Sequence, residues 1–469
     1  MEWAVMLIFF LLPTYQIRFH VLEIPATLLE GMILIISSVW VVQNYREVLN
    51  NFKQRLITHN SQLVTIHDYA FKWEIILLLI VSFAAVGVAG FSNAAFGIWK
   101  AYFFEPLLFY IILFNILYRS EKKFEIILYP LIMSSLFISL FAIYQKFTGQ
   151  FIVNPFWAAE TTRRVTGVFD YPNALSLFLG PIILLLIGFL LTQKGLKGIK
   201  GGKRGAFAAL NIIAAIVAII FAKSVGAVLG VAAGLLVFGF LHGKKTRMAL
   251  IVILLIGIIG VFSISSTRSL AIKYGTLNDF SGQVRREQWR EAWQMITSSP
   301  QRFIFGAGLS GYQAAVKPFH IDGFFYNRDN DPDFHRKLVL FNDEYKKKYW
   351  QPLEIYMYPH NIFLNFWSEL GLAGMLLFIW IIIKFYILAF RYLFENCKLK
   401  IENCSSSAND NQLVIALLSA MTVIVVHGVV DVPYFKNDLS VIFWSIIAII
   451  SILSESLKED LIKVKGEKA

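Results

Sequence analysis

The chain contains 469 residues, of which 57% are hydrophobic and only 16% are charged. Soluble globular domains contain nearer a quarter of charged residues, so this composition excludes a soluble domain and indicates an integral membrane protein. The formal net charge of +12 lies largely in short loops between hydrophobic segments, where membrane topology requires it, and we therefore expect no nucleic-acid partner.

Hydrophobic segments long enough to cross a bilayer, roughly 20 residues each, recur along the chain. They predict an all-α polytopic membrane protein with about twelve transmembrane helices. The predicted spans are, in chain order, 2–13, 25–42, 73–89, 98–118, 124–145, 172–191, 206–222, 225–241, 248–264, 361–390, 414–430 and 439–453.

The distribution of basic residues predicts which side of the membrane each loop occupies. Lys and Arg are concentrated in the loops after the even-numbered spans and in the C-terminal tail. By the positive-inside rule, both termini then lie in the cytoplasm and the long polar segment after the ninth span lies outside. The chain divides into an N-terminal transmembrane bundle (1–266), a large extracytoplasmic loop containing helices (267–359), C-terminal transmembrane helices (360–456) and a basic cytoplasmic tail (457–469).

Several polar residues of the first half fall at predicted outer helix ends. Arg163 and Arg164 lie outside, against the general charge bias, and an anionic ligand is a physical reason for such a violation. Asn173 follows Pro172, and it either caps the next helix or hydrogen-bonds a substrate. Lys223 lies in the tight outer turn between the seventh and eighth spans. It either extends to the membrane interface or joins the arginines in binding a polyanion such as a lipid diphosphate.

The extracytoplasmic loop contains VRREQWREAWQMI, whose tryptophans Trp289 and Trp293 fall on one face of a predicted amphipathic helix. Arg285 and Arg286 lie at the N-terminal end of this helix. Two interpretations stay open for them. Either the helix lies on the membrane surface with its arginines facing lipid phosphates, or an arginine binds the diphosphate of a leaving group bidentately.

Glycines and acidic residues in the same loop carry weaker signals. Gly306, Gly308 and Gly311 match G-x-G-x-x-G but lack the strand–turn–helix context of a dinucleotide site, so we expect a tight turn that brings two backbone segments close together. The Asp and His residues between Lys317 and Trp350 fit no EF-hand or zinc spacing, and we expect no metal and no cofactor. The aromatic residues of that region suit stacking on sugar rings.

Two further polar pairs lie at predicted outer helix ends. His360 and Asn361 directly precede a helix, which puts His360 at the water–lipid boundary. His360 is either a polar cap or a base, because histidine is the side chain most readily used as a base near neutral pH. His427 and Asp431 lie one turn apart, as a structural pair or as a second contact to substrate.

In this order, the motifs resemble the O-antigen ligase family, within the wider group of O-antigen polymerases and ligases. The resemblance is carried by R-x-T-G-x-F-x-x-P-N from Arg164 to Asn173, the KSVGA turn, R-x-x-x-W at Arg285, G-x-G at Gly306, His360-Asn361, E-x-G-x-x-G at Glu369 and HGVVD from His427 to Asp431. The family often has S-R-G-A where this chain has Ser224-Val225-Gly226-Ala227. Lys223 is therefore a candidate replacement for the missing arginine.

The resemblance implies an inverting, metal-independent membrane glycosyltransferase of the bacterial cytoplasmic membrane. Its donor would be a glycan on undecaprenyl diphosphate, and the acceptor of the classical ligases is the lipid A–core oligosaccharide. The family's loop arginine and histidine map to Arg285 and His360, the two expected catalytic residues. The expected substrate-binding residues are Arg163, Arg164, Asn173, Lys223, Arg286, Asn361, His427 and Asp431.

Three alternatives remain at this point. A polysaccharide polymerase and a protein O-oligosaccharyltransferase would use the same donor chemistry with a different acceptor. A transporter of lipid-linked sugars would need polar residues through the middle of the bilayer, and often internal repeats. The sequence disfavours the transporter, because its ionisable residues gather at predicted outer helix ends and no internal repeat is apparent.

Overall fold

Long apolar helices make up most of the described chain, which confirms the predicted all-α polytopic class. The computed structural model describes residues 1–21, 23–55, 69–120, 124–192, 203–340, 343–401 and 408–467. Parts of the basic loops and tail from which the orientation was predicted lie outside the described residues, among them 56–68, 121–123, 193–202, 402–407 and 468–469.

The N-terminal half is a series of helices. They are α1 (Glu2–Phe10), α2 (Leu28–Arg55), α3 (Lys72–Val88), α4 (Asn93–Trp99), α5 (Glu105–Arg119), α6 (Glu125–Thr148), α7 (Pro155–Ala158), α8 (Pro172–Leu191), α9 (Lys203–Ala222) and α10 (Val225–His242). A hairpin of β1 (Arg18–Val21) and β2 (Ile24–Thr27) precedes α2. A π-helical turn, Lys100–Phe104, joins α4 to α5 in one continuous span.

The C-terminal half begins with a span and a helical loop region and ends with three long helices. Its helices are α11 (Lys244–Ser263), α12 (Ser265–Gly275), α13 (Phe280–Thr297), α14 (Pro300–Phe305), α15 (Tyr312–Val316), α16 (Phe334–Leu340), α17 (Asp343–Tyr349), α18 (Ile362–Ile401), α19 (Ala408–Gly428) and α20 (Asn437–Glu467). Strands β3 (Gly323–Phe325) and β4 (Trp350–Pro352) form a second antiparallel hairpin. The predicted amphipathic helix is α13, which begins after Asp279, whose carboxylate accepts from the Gly282 N–H.

Ten helices of the described chain are long and apolar enough to cross a membrane. The two other predicted spans form helices that are shorter. Helix α1 has 9 residues and α3 has 17. At about 1.5 Å per residue, α1 covers roughly half of a hydrocarbon core of about 30 Å, whereas α3 falls just short of it.

Ionisable residues also lie inside the predicted spans, which corrects the expectation that they gather at outer helix ends. Glu74 on α3 accepts hydrogen bonds from Lys384 Nζ at 2.8 Å and from Trp380 Nε1 at 2.8 Å, both on α18. Glu105 lies within the span Asn93–Arg119 with an exposed fraction of 1%. Glu74 and Lys384 form an ion pair that joins α3 to α18, and charged residues within a membrane are commonly paired in this way.

A stripe of glycines lets α10 lie directly against α19. A Cβ atom on Gly226 would meet the His427 ring at 2.8 Å. Further along α10, Gly230 and Gly234 face the backbone carbonyls of Val423 and Ser419, at 3.1 and 2.9 Å from the same added atom. Small residues at every fourth position permit such close helix contacts within a membrane. This contact fixes His427 beside the KSVGA turn.

Gly306 of the G-x-G motif and Gly371 of the E-x-G motif form one joint between the loop region and α18, whereas Gly308 lies against α3. Gly306, Gly308 and Gly371 all have positive φ, and Gly371 interrupts the helical geometry of α18. A side chain on Gly371 would lie 2.1 Å from the Ile304 carbonyl oxygen. The Ala307 N–H donates to the Ser368 carbonyl at 2.6 Å across this joint. The expected tight turn is confirmed, and it anchors the loop region to the helix that follows His360.

Candidate active site

A hydrogen-bonded chain of side chains joins the two halves of the molecule at one end of the helix bundle. Arg164 Nη2 donates to Asn173 Oδ1 at 3.1 Å, and Asn173 Nδ2 donates to Asp431 Oδ2 at 3.0 Å. The second carboxylate oxygen of Asp431 accepts from the Val432 N–H at 2.8 Å. Three predicted ligand-binding residues from distant parts of the sequence therefore lie together.

The loop that carries Arg164 is held by a glutamine that the sequence analysis did not identify. Gln145 Oε1 accepts from the N–H groups of Thr166 and Gly167 at 3.0 and 2.8 Å, and its Nε2 donates to the Gly167 carbonyl at 2.9 Å. Gln145 is buried near the end of α6. Its carboxamide thus satisfies the backbone groups that follow Arg164 and fixes the position of this arginine.

The KSVGA turn contacts Arg164 through its backbone. Arg164 Nε donates to the Ala222 carbonyl at 2.8 Å and Nη2 to the Lys223 carbonyl at 3.5 Å. Lys223 adopts a φ of +53°, and its side chain is exposed at the surface of the turn. Burial lowers the pKa of the Arg164 guanidinium, and the nearby charge of Arg285 lowers it further. The two guanidinium groups are therefore close enough to repel each other.

Arg285 is held at the N-terminal end of α13 with part of its guanidinium free. Its Nε donates to the Val430 carbonyl at 2.7 Å, and Nη1 donates to the backbone carbonyl and the hydroxyl of Ser281. Within the described chain, Nη2 of Arg285 and Nη1 of Arg164 have no hydrogen-bond partner. Each arginine is thus anchored to backbone through part of its guanidinium group.

His360 is fixed by a second glutamine that the sequence analysis missed. Its Nδ1 lies 2.8 Å from Oε1 of Gln288, which is buried on α13 one turn after Arg285. With the carboxamide oxygen of Gln288 on this side, Nδ1 is the donor and the lone pair of the neutral imidazole lies on Nε2. The spacing of three residues from Arg285 is the only sequence signal that points to Gln288, because it puts both side chains on one helix face.

The surroundings of His360 favour its neutral form. Burial lowers the pKa of the imidazole, Asp431 raises it and Arg285 lowers it, with a net shift below the ordinary histidine value. His360 itself has a φ of +46°, and its backbone carbonyl accepts from Trp289 Nε1 at 3.4 Å. The Trp289 of the R-x-x-x-W motif therefore supports the strained backbone at His360.

Asp431 is the anionic member of the site, and His427 lies beside it. Burial raises the pKa of the Asp431 carboxyl, but His360, His427, Arg285 and the Val432 N–H lower it, and the net shift is below its ordinary value. Both residues are buried, and among the described side chains no hydrogen bond joins one to the other. Asp431 thus remains an acceptor that orients Asn173 within a cluster of cationic groups.

Three predicted ligand-binding residues make hydrogen bonds to other parts of the protein. Arg163 donates to the carbonyls of Ala158 and Lys146, both at 3.0 Å, and so closes its own loop onto the end of α6. The exposed Arg286 donates to Asn278 Oδ1 at 3.3 Å.

The third of these residues, Asn361, is a helix cap. Its Oδ1 accepts from the N–H groups of Phe363 and Leu364, each at 3.0 Å, in the first turn of α18. Its Nδ2 donates to the Val429 carbonyl at 2.9 Å. Asn361 therefore holds the backbone next to His360 against the end of α19.

One comparison with known proteins matches the middle of the chain, which contains part of this arrangement. The family model described as O-antigen ligase matches residues 210–379. No curated protein matches the chain. The matched residues include Lys223, Arg285, Gln288 and His360, whereas Arg164 and Asp431 lie on either side of them. This integral membrane protein therefore contains a region, residues 210–379, that is similar to the O-antigen ligase family.

Proposed function

We propose that the protein is a glycosyltransferase that moves a glycan from undecaprenyl diphosphate to an acceptor hydroxyl. The match of residues 210–379 to the O-antigen ligase family model supports ligase or polymerase chemistry in general. The observation that carries the specific proposal is the pair of anchored guanidinium groups, Arg164 and Arg285, beside a histidine with a free Nε2.

The two arginines suit the diphosphate of the donor. Their positive charges repel each other without a ligand, and an anion placed between them relieves that repulsion. Guanidinium groups bind phosphate oxygens bidentately and keep their charge at any working pH. Because the charge on a departing diphosphate grows in the transition state, fixed cations at this position stabilise the transition state more than the ground state.

His360 acts as the base in this proposal. The acceptor oxygen attacks the anomeric carbon on the face opposite the diphosphate, and its proton passes to Nε2 of His360. The bond from the anomeric carbon to the diphosphate oxygen breaks, and undecaprenyl diphosphate leaves with that electron pair. One displacement inverts the anomeric configuration. Gln288 keeps the imidazole in the tautomer that presents Nε2 to the acceptor.

The site is proposed to face the extracytoplasmic side of the bacterial cytoplasmic membrane. The side chains that form it come from the segments that follow the predicted fifth, seventh, ninth and eleventh spans, and the basic loops alternate with these segments. Both termini then lie in the cytoplasm. Under this assignment the N-terminal bundle comprises residues 1–266 and the outer loop comprises 267–359. The C-terminal helices comprise 360–456 and the inner tail comprises 457–469.

The acceptor is a surface glycan, a glycolipid such as lipid A–core, or a protein. A polymerase, which adds a second lipid-linked repeat unit, and a protein O-oligosaccharyltransferase share the donor half of the mechanism. Incubation of the purified protein with an undecaprenyl-diphosphate-linked glycan and each acceptor class, followed by mass spectrometry of the products, distinguishes them.

The same assay tests the site. We expect Arg285→Ala and His360→Ala to abolish transfer while both variants still insert into the membrane. Arg286→Ala is the matched control, because the neighbouring arginine is exposed and bonded to Asn278, and it should retain wild-type transfer. Near-normal turnover by both the Arg285 and the His360 variants would disprove the assignment.

A further inference from the structure

Two tyrosines flank the imidazole of His360, and they differ in what else they contact. The ring centroids of Tyr356 and Tyr358 lie 5.0 and 5.1 Å from that of His360, in edge-to-face contact. The Tyr358 hydroxyl is 2.7 Å from the Tyr171 hydroxyl, which joins it to the helix bundle. The Tyr356 hydroxyl has no hydrogen-bond partner among the described residues, and 38% of this side chain is exposed.

An acceptor has to reach the imidazole nitrogen that Gln288 does not occupy. Gln288 contacts Nδ1, so the acceptor hydroxyl approaches Nε2. The acceptor comes from outside the protein, and a residue that holds it there has to be exposed and close to His360. Tyr356 is the exposed aromatic residue in contact with the imidazole within the described chain.

We propose that Tyr356 is the platform on which the acceptor's sugar ring stacks during transfer. The face of an aromatic ring carries partial negative charge, and the C–H groups on one face of a pyranose ring carry partial positive charge, so the two surfaces attract. A sugar lying on Tyr356 presents its ring hydroxyls toward His360. This inference rests on the proposed function and specifies its acceptor as a sugar rather than a protein hydroxyl.

Exposure alone does not select Tyr356. Phe325 has the same exposed fraction of 38%, and its ring lies 5.0 Å from that of Trp350 in the β3–β4 hairpin. Within the described chain, neither ring of that pair contacts His360. Phe325 lies in the region whose aromatic residues the sequence favours for stacking on sugars, so it is the competing platform, of equal exposure and similar ring geometry, against which Tyr356 is tested.

The test measures the KM of each substrate separately for Tyr356→Ala, Tyr356→Phe and Phe325→Ala. The donor is an undecaprenyl-diphosphate-linked repeat unit, and the acceptor is an oligosaccharide that the wild-type protein uses. An aromatic stacking contact contributes about 1 kcal/mol, so Tyr356→Ala should raise the acceptor KM roughly five- to tenfold. Its donor KM should stay at the wild-type value. Tyr356→Phe and Phe325→Ala should match the wild type in both constants.

Other outcomes separate this inference from the proposed function. A lower kcat with an unchanged acceptor KM in Tyr356→Ala would mean that the ring only supports His360, and the inference would be wrong. An equal rise in acceptor KM for Phe325→Ala would also contradict it. Transfer only to protein hydroxyls by the wild type would overturn the platform and leave the donor site standing. Failure of the wild type to transfer to any acceptor would remove the proposed function and the platform together.

Discussion

His360 Nδ1 and Gln288 Oε1 lie 2.8 Å apart, and this contact determines which imidazole nitrogen is available to a substrate. Neither the charge nor the size of Gln288 suggests a role in glycosyl transfer. Its effect is exerted through the histidine, so Gln288 is a positioning residue.

Removal of this contact should slow the chemical step. Gln288→Leu leaves Nδ1 without its acceptor and allows the other tautomer, and we expect kcat to fall about tenfold or more, from the loss of roughly 1.5–3 kcal/mol of hydrogen bonding. The KM of the donor should change little. Gln294→Leu, on the exposed side of the same helix, is the control and should be neutral. Equal kcat in both variants would contradict the assignment.

The pH dependence of transfer gives a second test. His360 must be neutral to accept a proton, and its pKa is below the ordinary value, so activity should persist to a pH below the usual histidine range before it falls. Gln288→Glu places a carboxylate on Nδ1, which stabilises the imidazolium and raises the pKa of His360. The acid limb of the kcat/KM profile should therefore move to higher pH. An unmoved limb would show that Gln288 does not act through His360.

Gln145 should control the position of Arg164. Gln145→Leu keeps the volume but leaves the N–H groups of Thr166 and Gly167 buried without their acceptor, at about 1–3 kcal/mol for each unpaired group. We expect a lower midpoint of thermal unfolding, measured by tryptophan fluorescence. We also expect a higher KM for the donor. Gln150→Leu is a nearby exposed control. A higher midpoint with an unchanged donor KM would disprove the role of Gln145.

The glycine stripe on α10 predicts opposite effects for two similar substitutions. Gly226→Ala puts a methyl group about 2.8 Å from His427 and Val430, and overpacking of this kind typically destabilises by about 1–3 kcal/mol. Gly257→Ala on α11 adds its methyl group to open space and should be neutral or slightly stabilising, because alanine favours helix. Thermal unfolding of the two variants measures the difference, and equal midpoints would contradict the close contact.

The helices could largely be predicted from the sequence, whereas the direction of individual side chains could not. Runs of apolar residues predicted every long helix, and the apolar periodicity predicted α13. Arg163 and Arg164 are neighbours with the same charge, yet one closes its own loop and the other faces Asn173. That difference depends on the turn of the loop, which a charge pattern does not encode.

Neutral side chains were missed for a related reason. Gln145 hydrogen-bonds Thr166 and Gly167, 21 and 22 residues away, and Gln288 contacts His360, 72 residues away. A carboxamide carries no charge that a topology rule detects. The roles of Arg285 and His360 were predicted from a resemblance and stay predictions here. The structure adds the contacts that make those roles chemically consistent.

The hydrogen bond from Asn173 to Asp431 connects residues that are 258 positions apart. A ribosome makes Asn173 long before Asp431, and every helix between them has to insert before the contact closes. Until then the arginine side of the site lacks its carboxylate anchor. The cluster of Arg164, Asn173 and Asp431 is therefore completed only at a late stage of synthesis, after the helices between these residues have been made.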